Sequence, residues 1–348
     1  MIRVLVAEDS ATCLSLLVEI IGSDPHLQLV ATASHGAEAV SLTKQLRPDV
    51  VLMDIHMPVM DGFEATRQIM TETPTPIVIV SGSVDVRQVA VSMQALRLGA
   101  LALLPKPSLV GVTDFDEMAR HFTASVRAMA GVRVVRRWNA GDSQPPATTP
   151  APITPSRTGR TIPTLIAIAA STGGPGALYR ILSELPGDLP VPVLVVQHIA
   201  LGFIEGLAAW LGGSSKLRVK VGQAQEQLRP GTVYLAPDDC HLGLRDRNTI
   251  EISKTPAVNG FRPSATHLFE SVARQYGSLA LGLVLTGMGD DGVAGLRSLH
   301  ACGGQVLAQD EETSVVFGMP GAAVAAGVTD GTLPLEMIAM RLQRLVTS

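Results

Sequence analysis

Residues 166–178 read IAIAASTGGPGAL: an apolar run, then Ser171-Thr172-Gly173-Gly174-Pro175-Gly176, then a helical pattern. A glycine-rich turn between a strand and a helix serves two chemistries. It cradles a phosphate on backbone N–H groups, or it pushes a serine nucleophile out of the sheet. The dinucleotide pattern needs a third glycine where Tyr179 stands, and no Gly-Lys-Ser/Thr follows to make a P-loop. A nucleophilic serine needs a base and a carboxylate that orients it. His198 ends the apolar stretch VPVLVVQH, and Asp290 and Asp291 lie in LVLTGMGDDG. Neighbouring residues point apart, so one aspartate only is expected to meet His198. On this reading Ser171 attacks a carbonyl, His198 takes its proton and Asp291 stabilises the imidazolium. Backbone N–H groups of Thr172 and of the Gly287-Met288-Gly289 turn would receive the oxyanion. His241, after APDDC, is a reserve base, whereas His300 sits in a helical pattern and reads as structural.

A second constellation lies near the N-terminus. Glu8 and Asp9 follow one apolar run, Asp54 ends another, Ser81 a third and Lys106 a fourth. Three carboxylates at one point repel unless a cation sits among them, and an all-oxygen set suits Mg²⁺. Asp54 would then accept a phosphoryl group, with Ser81 and Lys106 contacting its oxygens. A cis Lys106–Pro107 peptide is expected to aim the lysine inward.

The elements that must position these groups are legible as alternation. RVLVAED (3–9), LQLVATA (27–33), DVVLMD (49–54), PIVIVSG (76–82) and ALALLPK (100–106) read as strands separated by helical patterns. TLIAIAAS (164–171), VPVLVVQH (191–198), TVYLAP (232–237), LALGLVLTGM (279–288) and GQVLAQD (304–310) repeat the theme, with a hairpin expected between 242–245 and 249–254. Such alternation implies right-handed βαβ units and parallel sheets, with functional groups beyond the C-terminal strand ends. The stretch 136–163, rich in Pro, Ser, Thr and Ala, reads as a linker.

The chain has 348 residues, 46% hydrophobic and 17% charged, enough for two buried cores. A net charge of −4 argues against nucleic acid as a partner. The apolar runs are of strand length, so no membrane insertion is expected. Cys13, Cys240 and Cys302 are scattered, without zinc-type spacing. With no signal-peptide pattern at the N-terminus, a cytoplasmic location is expected.

Through VLVAEDS, LMDIHMPVMDG and the PKP turn, residues 1–125 resemble the receiver domain of two-component response regulators. That resemblance implies a flavodoxin-like (βα)5 fold and Mg²⁺ at Glu8, Asp9 and Asp54. It also implies phosphorylation of Asp54 by a chemotaxis-type histidine kinase and a Ser81–Lys106 switch pair. Leu103 stands where many receivers carry an aromatic residue. AASTGGP, VVQH, YLAPDDCHL, NGFRPSATHLF, LTGMGDDG and VVFGMP together resemble the catalytic domain of the chemotaxis protein-glutamate methylesterase (CheB) family. The resemblance implies a doubly wound, mostly parallel α/β esterase domain over 164–348, joined to the receiver by a linker over 126–163. It implies hydrolysis of glutamate γ-methyl esters on the cytoplasmic helices of methyl-accepting chemoreceptors, often with glutamine deamidation, and no cofactor for the ester chemistry. The pattern T-G-M-G-x-D-G assigns the acid to Asp291, and Thr172 and Met288 fall at the active site. Departures from the family are Ala169, Ala200-Leu201 and Thr266. The unphosphorylated receiver is expected to cover the Ser171 rim, and phospho-Asp54 to expose it. A phospho-dependent scaffold that binds receptor helices without catalysis remains the alternative. A DNA-binding regulator would need a basic recognition helix after the linker, where strands and glycine turns stand instead.

Overall fold

The computed structural model describes residues 1–82, 85–107, 115–132, 134 and 161–347. The chain forms two compact units, Met1–Ala147 and Thr148–Ser348. Most of the expected linker 126–163 lies outside the described residues.

The first unit alternates β1 (Ile2–Ala7), α1 (Ala11–Gly22), β2 (Leu27–Ala33), α2 (Gly36–Leu46), β3 (Val50–Asp54), α3 (Gly62–Glu72) and β4 (Ile77–Ser81). It continues with α4 (Val86–Ser92), α5 (Gln94–Leu98), β5 (Ala102–Pro105) and α6 (Phe115–Ala130). Its five parallel strands run in the order β2-β1-β3-β4-β5, the flavodoxin-like order. Strands β3 and β4 are buried along their whole length, which is why both read as unbroken apolar runs ending in one polar residue. Asp61 caps α3 by accepting the Glu64 N–H at 2.8 Å.

The second unit is built from β6 (Leu165–Ala170), α7 (Gly174–Glu184), β7 (Val193–Gln197), α8 (Ile204–Gly212), β8 (Arg218–Val221) and β9 (Thr232–Leu235). Then follow β10 (His241–Asp246), β11 (Thr249–Ser253), α9 (Ala265–Tyr276), β12 (Ala280–Val284), α10 (Val293–Ala301), β13 (Gln305–Gln309), α11 (Met319–Ala325), β14 (Gly331–Leu333) and α12 (Leu335–Thr347). Seven parallel strands run in the order β14-β13-β12-β6-β7-β9-β8. The expected hairpin is present as antiparallel β10-β11, apart from this sheet. Strands β8 and β14, too short to carry a periodic signal, extend the two edges beyond what the sequence indicated. Helix α9 buries Leu268, Phe269 and Val272 against Leu165, Val284 and Val306. Burial of a side chain of Phe269's size contributes roughly 2–3 kcal/mol, which pins the N-terminus of α9.

The chain leaves β6 toward β7 on one side and returns to β12 on the other. Strand β6 is therefore the switch point, and the crevice beyond its C-terminal end is where an open α/β sheet places a ligand.

Candidate functional sites

Ser171 is the first residue after β6, and its conformation is set by the main chain. Its N–H donates to the Thr286 carbonyl at 3.1 Å, and its carbonyl accepts the Gly174 N–H at 2.8 Å and the buried Gln197 amide at 2.8 Å. The turn then needs a left-handed residue. Gly173 supplies it at φ 78° and leads into α7, with Pro175 in the first turn. The positive end of α7 thus faces the serine, where it favours a developing oxyanion.

His198 follows β7, and its N–H donates to the Ala170 carbonyl at 2.9 Å. Its Nε2 lies 3.0 Å from Asp291 Oδ2, with the imidazole 11% exposed and the carboxylate fully buried. Asp291 is met by donors on every side. Besides His198, Ser264 Oγ gives to Oδ1 at 2.8 Å, Ala265 N–H to Oδ2 at 2.7 Å and Thr266 N–H to Oδ1 at 3.1 Å. Burial alone would raise this carboxyl. The hydrogen bonds from His198, Ala265 and Thr266 outweigh burial and hold it down at about 2. An ionised carboxylate only accepts, so His198 carries its proton on Nε2. That leaves Nδ1, a buried atom without a hydrogen-bond partner, as the free base nitrogen. Phe261 stacks on the imidazole, with ring centroids 4.5 Å apart and planes 11° from parallel.

The structure separates the two adjacent aspartates: Asp290 is exposed and Asp291 buried. It also removes His241 from the list of bases. That ring is fully buried; Nδ1 accepts the Ser264 N–H at 3.2 Å and Nε2 contacts the Pro256 carbonyl at 3.1 Å. His300 lies in the last turn of α10, as a structural residue would. Among the described residues the Thr172 and Met288 N–H groups are not taken by another acceptor, and Met288 is exposed at the rim. Thr286, which sequence reasoning passed over, ties the two halves of the rim. Its hydroxyl donates to the Thr172 carbonyl at 2.9 Å and accepts the Val316 N–H at 2.9 Å. Thr266 accepts the Gly292 N–H at 2.9 Å through its hydroxyl, a use for the family departure at that position.

Gly287 shows how closely the rim is packed. A Cβ there would lie 2.7 Å from Ser171 Cβ and 3.1 Å from Ser171 N. Gly287→Ala must therefore displace the serine. The same Cβ would meet the buried Met319 Sδ at 2.5 Å, so the overpacking is expected to cost about 1–3 kcal/mol of stability, and an ångström of misplacement at the serine to lower kcat by about 10^2-fold. Steady-state rates beside a melting curve check this; unchanged kcat would show that the crevice yields.

In the first unit the ligand oxygens of Glu8, Asp9 and Asp54 lie within 4.8 Å of one another. Lys106 Nζ sits 2.8 Å from Glu8 Oε2 and 2.9 Å from Asp54 Oδ2. Burial pushes the Asp54 carboxyl up, and the Glu8 charge adds to it, against the hydrogen bond from Lys106. Burial opposes the Lys106 ammonium, yet hydrogen bonds to Glu8 and Asp54 hold it above its ordinary value. The lysine reaches the pocket without the expected cis bond: among the described residues the cis peptide is Arg262–Pro263. Ser81 is buried at the end of β4, but its hydroxyl meets Ser92 Oγ at 3.4 Å rather than Asp54 or Lys106. Three carboxylates against one ammonium leave two negative charges, and Glu8 Oε2 is buried without a directed hydrogen bond. The residues present fit a small divalent cation.

Fold and geometry together define an α/β unit in which a serine follows β6 and an imidazole paired with a buried carboxylate follows the neighbouring β7, preceded by a flavodoxin-like unit with a carboxylate cluster and a lysine. The family model for CheB methylesterase matches residues 166–342, and that for the response regulator receiver domain matches residues 4–112. A protein-glutamate methylesterase/protein-glutamine glutaminase of Myxococcus xanthus is 55% identical over 341 residues, covering 98% of this chain and 96% of the relative. Another from Anaeromyxobacter dehalogenans is 50% identical, covering 98% of both chains. The crystal structure of the Thermotoga maritima CheB methylesterase catalytic domain aligns at 39% identity with a TM-score of 0.52, over 53% of this chain and 99% of its own. The chain belongs to the CheB methylesterase family. No helix among the described residues is long and apolar enough to cross a membrane.

Proposed function

We propose that this chain is a phosphorylation-activated protein-glutamate methylesterase, and a protein-glutamine glutaminase as well, acting in chemotaxis. The observation that supports the proposal is the His198–Asp291 pair beyond β7, next to the turn after β6 that carries Ser171. His198 Nδ1 takes the Ser171 proton as Oγ attacks the ester carbonyl, and Asp291 stabilises the imidazolium at Nε2. The Thr172 and Met288 N–H groups hold the oxyanion, each worth roughly 3–4 kcal/mol. Methanol leaves with the proton that His198 returns. Water, activated at the same nitrogen, then releases the glutamate and restores the serine. A glutamine side chain would follow the same course and lose ammonia.

The receiver is proposed to span residues 1–125, with the linker over 126–163 and the esterase over 164–348. Receiver domains take their phosphoryl group in a Mg²⁺-dependent reaction. Here Glu8, Asp9 and Asp54 would hold the ion, which when bound neutralises the charge gathering around the transferred group. Asp54 accepts the phosphoryl group from a chemotaxis-type histidine kinase, and Lys106 exchanges its carboxylate partners for phosphate oxygens. Ser81 must turn away from Ser92 to join it. The substrate is assigned to the cytoplasmic helices of a methyl-accepting chemoreceptor, which places the enzyme in the cytoplasm.

Methanol release from methylated receptor, with and without a small-molecule phosphodonor and Mg²⁺, tests this scheme. Wild type is expected to be stimulated and Asp54→Asn to lose the stimulation entirely, because an amide cannot form the acyl phosphate. Equal stimulation of both proteins would remove Asp54 from the scheme.

A further inference from the structure

Between β11 and α9 the chain runs past both partners of the serine. Val258 and Phe261 close a tight turn, with N–H to carbonyl bonds of 3.1 and 3.0 Å in the two directions. The turn brings the Phe261 ring onto one face of His198. The next residue, Arg262, ties the segment to Asp239, with Nη2 2.6 Å and Nε 2.7 Å from Oδ1. Three residues beyond Phe261, Ser264 is fully buried and donates its hydroxyl to Asp291. Its own N–H is held by His241 Nδ1, a ring stacked on His267 with centroids 4.5 Å apart. Burial, with the His241 and Arg274 charges, pushes His267 down to about 4, so His267 stays uncharged at neutral pH.

Catalysis by Ser171 needs Nδ1 of His198 aimed at the serine, yet that ring is held by one hydrogen bond, from Nε2 to Asp291. A single hydrogen bond leaves an imidazole free to swing about it. The carboxylate could also turn about its own axis unless its outer oxygen were fixed. Phe261 removes the first freedom, and Ser264, together with the Ala265 and Thr266 N–H groups, removes the second.

We propose that the segment Val258–Thr266 is a positioning clamp for the His198–Asp291 pair, with Phe261 fixing the imidazole plane and Ser264 fixing the carboxylate. The proposal rests on the assignment of His198 as base and Asp291 as its partner. Neither Phe261 nor Ser264 is required to touch the substrate, so both act through another residue. Their loss is expected in kcat rather than in KM.

The test uses the full chain labelled with ¹⁵N-histidine, as wild type, Phe261→Leu, Ser264→Ala and Ser264→Thr. The first readout is the Nε2-bound proton of His198, which persists against exchange with water only while its bond to Asp291 is held. It is expected to be sharp in wild type and Ser264→Thr, and broadened beyond detection in Phe261→Leu and Ser264→Ala. The second readout is methanol release from methylated receptor in the presence of phosphodonor. Phe261→Leu and Ser264→Ala are expected to lose about tenfold to a hundredfold in kcat, the scale of a small misplacement, with KM within about twofold. Ser264→Thr keeps both the hydroxyl and the cap of α9, so it is expected to recover most of the rate. In an Asp291→Asn background, Ser264→Ala should have little further effect, because the group it acts through is already gone. An Nε2 proton equally sharp in all four proteins would overturn the clamp, as would an equal loss from Ser264→Ala with and without Asp291. If the proton responds as expected but wild type releases no methanol, the clamp stands and the functional reading fails.

Discussion

Ser171→Ala is expected to lower methanol release from a methylated chemoreceptor by roughly 10^6-fold, the scale on which removal of a serine nucleophile acts. The folded state should be almost untouched. Ser171 is held through its backbone, by the Thr286 carbonyl, the Gly174 N–H and the Gln197 amide, and among the described residues no hydrogen bond of the turn depends on its hydroxyl. Binding of the receptor should likewise persist, since the crevice and its rim keep their shape. Rate and affinity measured on one preparation therefore separate catalysis from recognition. A variant that binds normally but does not turn over fits the nucleophile; a variant that turns over normally would remove Ser171 from that role, and a wild-type chain that binds without turning over would return it to the scaffold reading.

The second large effect belongs to Asp291→Asn, expected to reduce kcat by about 10^4-fold through the wrong imidazole tautomer. The geometry gives a specific reason. Oδ2 receives donors from His198 and Ala265, and Oδ1 receives donors from Ser264 and Thr266. An amide has one accepting atom, and although His198 can change tautomer and the Ser264 hydroxyl can turn, its NH₂ must confront a backbone N–H, of Ala265 or Thr266, whichever way it lies. Leaving buried donors unpaired costs about 1–3 kcal/mol each, and the variant should melt at a lower temperature as well as lose activity. The same carboxylate contributes to the pH dependence of stability. Its folded value of about 2 lies below the ordinary 3.8. Its contribution, about 2 kcal/mol, is full above pH 4 and disappears as the pH falls through 2. Acid unfolding of wild type should show this decline between pH 4 and 2, and Asp291→Asn should lack it. Parallel acid-unfolding curves would contradict the assignment.

The strands carrying Ser171, His198, Asp54 and Lys106 were legible because a parallel strand covered on both faces is a continuous apolar run. Its last residue is also the first able to reach the functional edge. The choice between Asp290 and Asp291 was not legible from spacing, since it depends on which one turns beneath the N-terminus of α9. Ser264 caps α9 by accepting the His267 N–H, but its reach across to Asp291 is a contact between residues far apart in the chain. The same holds for Phe261 on His198: nothing in its neighbourhood signals a ring 63 positions earlier. Ser81 shows the converse. Its position at the end of β4 followed from the pattern, whereas its hydroxyl partner, Ser92, comes from the packing of α4.

The most direct measurement is the intact mass of a methylated chemoreceptor after incubation with the phosphodonor-activated chain, beside the same incubation with Ser171→Ala. The wild-type chain should remove the mass of one methylene from each modified site, converting methyl ester to acid, and Ser171→Ala should leave the receptor unchanged. A receptor unaltered by the activated wild-type chain, or altered equally by Ser171→Ala, would contradict the assignment of Ser171 as the nucleophile of a glutamate methylesterase.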